Sequence, residues 1–159
     1  MSAALRARRV AAARALAGDA RRGQPGWDDL GAWPGWAALE AQALDSLMLK
    51  SAAWLHASTW RGCIRGALLK QVQQRLGDVD FARLMAPCED DAPAVPLPDA
   101  DQLDEWLLAE GREVLLASVG SAALRVLLRE RLWPRTLPPL PARDTTRARR
   151  ALGFAEEVR

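Results

Sequence analysis

Tyrosine is absent from this 159-residue chain, histidine occurs once, and cysteine and lysine occur twice each. Each scarcity excludes something. A single histidine, His56, means that any imidazole-based proton transfer must run through that residue. In one continuous helix Cys63, seven residues on, would lie ~10.5 Å away along the axis, beyond the hydrogen bond a Cys–His nucleophile needs. The expected state of His56 is therefore a partly buried or capping side chain. Cys63 and Cys88 form neither a zinc spacing nor a disulfide framework, and they fit a reducing, cytoplasmic compartment. One imidazole and two distant thiols do not supply three or four converging ligands, so no metal is expected. No cofactor is expected either, since Gly62 and Gly66 lack the following Gly, Lys and Ser or Thr of a phosphate-cradling loop. No apolar run is long enough for a membrane span, and no alternating pattern or Asn-Gly hairpin signals a strand.

What is present is an ordinary globular balance, 50% apolar and 26% charged. A chain of this size buries roughly 70% of the surface its unfolded form exposes and folds without a staple. Seven of the nine aromatics are Trp (Trp27, Trp33, Trp36, Trp54, Trp60, Trp106, Trp133), and Arg outnumbers Lys by 20 to 2. Large rings of this kind belong in the core, with interface anchoring as the other use. The net charge of +2 hides a bipolar chain: residues 1–22 carry +5, residues 89–110 carry −8 and residues 143–159 carry +2. Separated fields of this kind steer association with charged partners. The acids between Glu89 and Glu110 read as solvated faces and helix-start charges, not as a catalytic pair. The first 22 residues lack the apolar core of a secretory signal. Their Arg-rich, acid-poor start resembles a mitochondrial transit peptide, the blander reading being a basic arm or weak helix.

Hydrophobic spacing predicts an all-α chain of six or seven helices in a single compact domain over residues 23–159. After an Ala-rich helix at 3–17 and a Gly-Pro-Trp loop at 18–36, a stripe of Trp36, Leu39, Ala43, Leu44, Leu47 and Met48 predicts a helix to His56. Ser58 or Thr59 is placed to cap the next helix, whose face would be Trp60, Ile64, Ala67, Leu68, Val72 and Leu76, ending at Gly77. Within it Gly62 and Gly66 suggest close approach of another backbone. Asp78 or Asp80 would cap a short helix through Phe81, Leu84 and Met85. A Pro-rich linker at 87–98 then divides an N-terminal helical group (36–86) from a C-terminal one (99–159). Asp99 with Gln102 fits a capping box. Leu103, Trp106 and Leu107 form an apolar face up to Gly111, and a second run reaches Trp133 with an interruption at Gly120 and Ser121. A polyproline II stretch follows Pro134, and Asp144 or Thr145 would cap a last basic helix. The 60–85 region has a helix-turn-helix outline, but Arg83 alone equips its second helix for a nucleic acid, so none is expected.

From Ser51 to Ala86 the sequence resembles the SctK family, cytosolic sorting-platform adaptors of bacterial type III secretion systems. The residues that carry this are Trp60-Arg61-Gly62-Cys63-Ile64-Arg65-Gly66, then Leu68, Val72, Leu76-Gly77 and Phe81 in order. Glu110-Gly111-Arg112 and the Leu-rich run closing at Trp133-Pro134 are similar to the family's C-terminal half. The resemblance implies a non-catalytic, all-α adaptor at the cytosolic face of the inner membrane, linking the inner-membrane ring's cytoplasmic domain to a sorting-platform pod protein. Candidate partner-binding residues are Trp60, Arg61 and Arg65, the two arginines sharing a helix face, and the acids Glu89, Asp90, Asp91, Asp101 and Asp104. The other readings are a DNA-binding regulator using the basic arm and a helical secretion chaperone.

Overall fold

The computed structural model describes residues 29, 31–87, 95–133 and 145–157. Among them the chain is all-α, with seven α-helices and no strand: α1 (Ala41–Leu55), α2 (Ala57–Arg61), α3 (Gly66–Leu76), α4 (Asp78–Met85), α5 (Leu103–Ser118), α6 (Ala122–Leu132) and α7 (Thr145–Glu157). Short 3-10 turns at Gly35–Ala38 and Ala100–Gln102 precede α1 and α5. No described helix is long and apolar enough to cross a membrane. The predicted helix at 3–17, Trp27, the 88–94 part of the linker, the polyproline stretch and Asp144 lie outside the described residues.

The core is organised by α1 and α5. Leu44, Leu47 and Met48 of α1 pack with Leu115 and Leu116 from the far half of α5, together with Leu124, Leu127 and Leu128 of α6 and the rings of Trp33 and Trp36. Ala52 and Ala53, one turn further along α1, pack instead with Leu103 and Leu107 at the start of α5, and with Trp60, Leu68, Val72, Leu76 and Leu84. The order reverses between the two helices, so they run antiparallel. They cross at Gly111, where an added Cβ would lie 2.1 Å from the Met48 carbonyl oxygen and 2.6 Å from its Cα. Close approach of backbones is what glycine permits and any side chain forbids. On the other flank α7 presents Ala148, Ala151 and Ala155, three small residues at helical spacing; the first two pack against Leu55, Val114 and Ala117.

Several sequence expectations are corrected here. Helix α1 starts at Ala41 and not at Trp36, because Leu39 and Glu40 are extended, and Ala43 is exposed. The single helix expected from Trp60 to Leu76 is two, separated by the irregular link Gly62–Arg65, so Ile64 and Ala67 leave the buried face. Close backbone contact does not occur at Gly62 or Gly66: a Cβ on Gly66 would meet nothing within 4 Å, and one on Gly62 would make only ordinary contacts. Gly111 does not end a helix but lies inside α5. The Asp99–Gln102 capping box is not formed. Asp99 precedes the 3-10 turn without a side-chain cap, and only its carbonyl accepts, from Gln102 N–H at 3.1 Å. Neither Ser58 nor Thr59 caps α2, which begins directly after His56, and Gly77 takes the cap position of α4 that Asp78 or Asp80 was expected to hold. At the α1–α2 junction the link is too short for a separate capping residue: His56 ends α1, its N–H donating to Ala52 O and Ala53 O at 3.2 Å each, and it directly precedes α2.

Other signals are followed. Gly77 ends α3 at φ +85°, a conformation that costs a residue with a Cβ and costs glycine nothing. The interruption before α6 falls at Val119–Ser121, and the Ser121 hydroxyl accepts from Leu124 N–H at 3.2 Å. Ser121→Ala removes that cap and is expected to lower stability by about 1 kcal/mol in a urea melt, whereas Ser121→Asp, which keeps an acceptor at the same place, should not.

Candidate functional site

The segment that carries the family resemblance is pinned to the start of α5 by arginines. Arg61, on α2, donates from Nε to Ala57 O at 3.2 Å and from Nη1 to Ala86 O at 3.0 Å. Arg65 precedes α3, donates to Leu97 O at 3.2 Å and approaches the Asp99 carboxylate at 3.8 Å. The two therefore do not share a helix face, because the helix breaks between them. They hold the main chain on either side of residues 88–94. Gln71 adds a bond to Ala100 O at 3.0 Å, and Arg75 grips Asp104 with two nitrogens, Nε at 2.9 Å and Nη2 on the other carboxylate oxygen. Thr59 contributes from below, its hydroxyl accepting from Val95 N–H at 3.2 Å.

Sequence-derived candidates separate on this geometry. Trp60 is 0% exposed and meets Trp106 edge-on with ring centroids 6.1 Å apart. A ring without exposed surface offers nothing to a partner, so Trp60 is a core residue and not a contact residue. Its indole N–H has no acceptor among the described residues, which leaves the ring acting as apolar volume. Asp101 is exposed, while Asp104 is half-buried and held by Arg75. Glu89, Asp90 and Asp91 lie outside the described residues.

What the broken helix exposes is Ile64, at 98% the most exposed large apolar side chain described. It lies in the Gly62–Arg65 link, next in the chain to Arg65, whose guanidinium is engaged with Leu97 O and the Asp99 carboxylate. Helical periodicity placed Ile64 in the core. Gly62 at the end of α2 and Gly66 at the start of α3 are the signals that could have revealed a break.

A second arrangement was not foreseen. His56 Nε2 lies 2.7 Å from Glu110 Oε2, both residues being buried, with the Trp106 ring centroid 4.8 Å from the imidazole. With the carboxylate accepting, Nε2 carries the proton. His56 is buried as expected, but Glu110, read as the last acid of a solvated run, turns into the core from the middle of α5. A further ion pair joins Lys50 of α1 to the buried Asp80 of α4 at 2.9 Å. No group of three or more His, Cys, Asp or Glu side chains able to hold a metal occurs among the described residues.

No family model matches the chain, and no curated protein and no solved structure matches it. The residues of the resembling segment divide by role: Leu68, Val72 and Leu76 are core, Phe81 is half-buried, and Ile64 and Arg65 face outward.

Proposed function

We propose that this protein is a non-catalytic, protein-binding adaptor, and that it works at the cytosolic face of the bacterial inner membrane, joining the type III secretion ring's cytoplasmic domain to a pod protein of the sorting platform. The observation that supports the reading is Ile64. A branched apolar side chain left almost wholly in water contributes nothing to the fold, and it sits at the outer tip of the same segment whose sequence resembles the SctK family. Apolar anchors ringed by hydrogen-bonded or paired polar groups are the usual energetic centres of protein interfaces, since the surrounding groups exclude water without having to find new partners. Arg65, the next residue in the chain, is already engaged with Asp99 and with Leu97 O.

Ile64→Glu tests it. Because the side chain is 98% exposed, the unfolding free energy should stay within about 0.5 kcal/mol of the parent, while recovery of ring and pod components in a pull-down from the native cell should fall by about tenfold or more. Recovery of neither component by the parent protein would end the secretion reading, and undiminished recovery by Ile64→Glu would remove this tip from the interface.

A further inference from the structure

Helix α7 adds little to the main core. Among the described residues the two larger apolar clusters draw one buried side chain from it, Ala155, with Leu152 at the margin. Its other buried alanines, Ala148 and Ala151, belong to the small third cluster with Leu55, Val114 and Ala117. The polar contacts of α7 are more specific. Arg147 donates to Leu55 O at 2.7 Å and Arg149 to Ser118 O at 3.2 Å, so this one helix brings a cation to the last carbonyl of α1 and to that of α5. Carbonyls at a helix C-terminus carry the negative end of the dipole and favour such caps.

Phe154 is the key of the contact. Trp54 of α1 stacks on its ring with centroids 3.6 Å apart and planes 4° apart, and the Arg83 guanidinium of α4 lies over the same ring at 4.7 Å. An indole stacked so closely covers one face of the phenyl ring and leaves the other to the guanidinium, so Phe154 fills a slot between α1 and α4. Arg83 also meets Glu157 at 3.5 Å. Its ring partner and its carboxylate partner therefore lie three residues apart on one helix. The slot is at the surface: Trp54 and Phe154 are half-buried, and the side chains of Arg83 and Glu157 are 43% and 71% exposed. Exposed ion pairs exchange readily with water. A helix of 13 residues is also too short to persist alone in water, so α7 folds as it docks.

We propose that α7 is an autoinhibitory latch that undocks as a unit while α1–α6 stay folded, and that the vacated slot takes a helix of a protein partner carrying an aromatic residue with a carboxylate three positions on. The aromatic ring enters between Trp54 and Arg83, and the carboxylate pairs with the guanidinium, as Phe154 and Glu157 do within the chain. Elements that share few buried apolar contacts with the core are the ones that open below global unfolding. A tethered occupant competes at an effective concentration of order millimolar, so a partner binds weakly until the latch is loosened.

Two experiments on the full chain test this. In native-state hydrogen exchange the α7 amides should exchange through an opening that leaves α5 protected. A fluorescein-labelled peptide of residues 145–157 serves as the partner helix in a binding titration. Phe154→Ala in the full chain empties the slot and should raise the affinity for the peptide by about tenfold. Glu157→Arg, a change on an exposed side chain, should act in the same direction by about twofold to fivefold. A peptide with its own Phe154→Ala change should lose the gain. Exchange of α7 only together with α5 in global unfolding, equal peptide binding by the parent and Phe154→Ala chains, or indifference to the peptide's aromatic ring would overturn the latch. A dimer of the parent that the peptide dissociates would overturn the partner assignment in favour of a second copy of this chain. None of these readouts involves Ile64 or a ring or pod component, so this inference and the adaptor reading can fail separately.

Discussion

Gly111→Ala is expected to be the most destabilising single-methyl change in this protein, lowering the unfolding free energy by more than ~3 kcal/mol, or about 6–12 °C in melting temperature. Helix propensity argues for the opposite sign, since alanine is favoured over glycine by about 1 kcal/mol in a helix interior. Packing decides, because the added Cβ would sit 2.1, 2.5 and 2.6 Å from the O, C and Cα of Met48, all main-chain atoms of α1. Side-chain ends can rotate away from a clash of that size, whereas a helix backbone moves only by displacing everything packed on it. Separating α1 from α5 would open both of the larger apolar clusters at once, since each draws residues from both helices. Gly153→Ala provides the contrast. Gly153 lies within α7, a Cβ there meets nothing within 4 Å, and its φ is not positive. That substitution should stabilise the protein by up to about 1 kcal/mol. Chemical denaturation of the pair measures both, and equal shifts of the same sign would refute the close crossing of α1 and α5.

Glu110→Ala should follow closely, with a loss of about 3–5 kcal/mol. Removing the carboxylate strands His56 Nε2 in a site where the residue is 7% exposed, against the ring of Trp106, and leaves a void in the middle of α5. Glu110→Gln separates geometry from charge. Its amide oxygen can still accept from Nε2, so a cost near 1 kcal/mol is expected if the hydrogen bond dominates, and one close to the alanine value if the negative charge does. Burial also predicts that the Glu110→Ala loss changes little between low and high salt, because screening acts on exposed charges. A cycle with His56→Leu should show coupling of about 0.5–3 kcal/mol, and strict additivity would mean that the two side chains do not interact.

These two residues also show where reading the chain in one dimension stops. Gly62, Gly66 and Gly111 look alike in sequence, each a costly residue in a helical stretch. Only their surroundings reveal that the first two border a break while the third sits at a helix crossing. Glu110 ends a run of eight acids between positions 89 and 110, and nothing local separates it from its solvated neighbours. It is buried because position 110 of α5 faces the end of α1, and that is a long-range fact. Ile64 illustrates the reverse error. Its spacing from Trp60 and Leu68 is helical, yet the helix does not continue through it.

The sequence by itself determined the helical class, the stops at Gly77 and before α6, and most of the core leucines. These follow from side-chain periodicity and backbone preference, which act over one or two turns. Tertiary structure alone decided that α1 and α5 cross at Gly111, that His56 meets Glu110, that Trp60 is internal while Ile64 is external, and that Arg147 reaches the last carbonyl of α1. Each of those depends on residues 54 to 92 positions apart or on which of two equally helical segments is interrupted. Local propensity does not carry that information, because the free energy that selects those pairings arises only when distant surfaces are buried together.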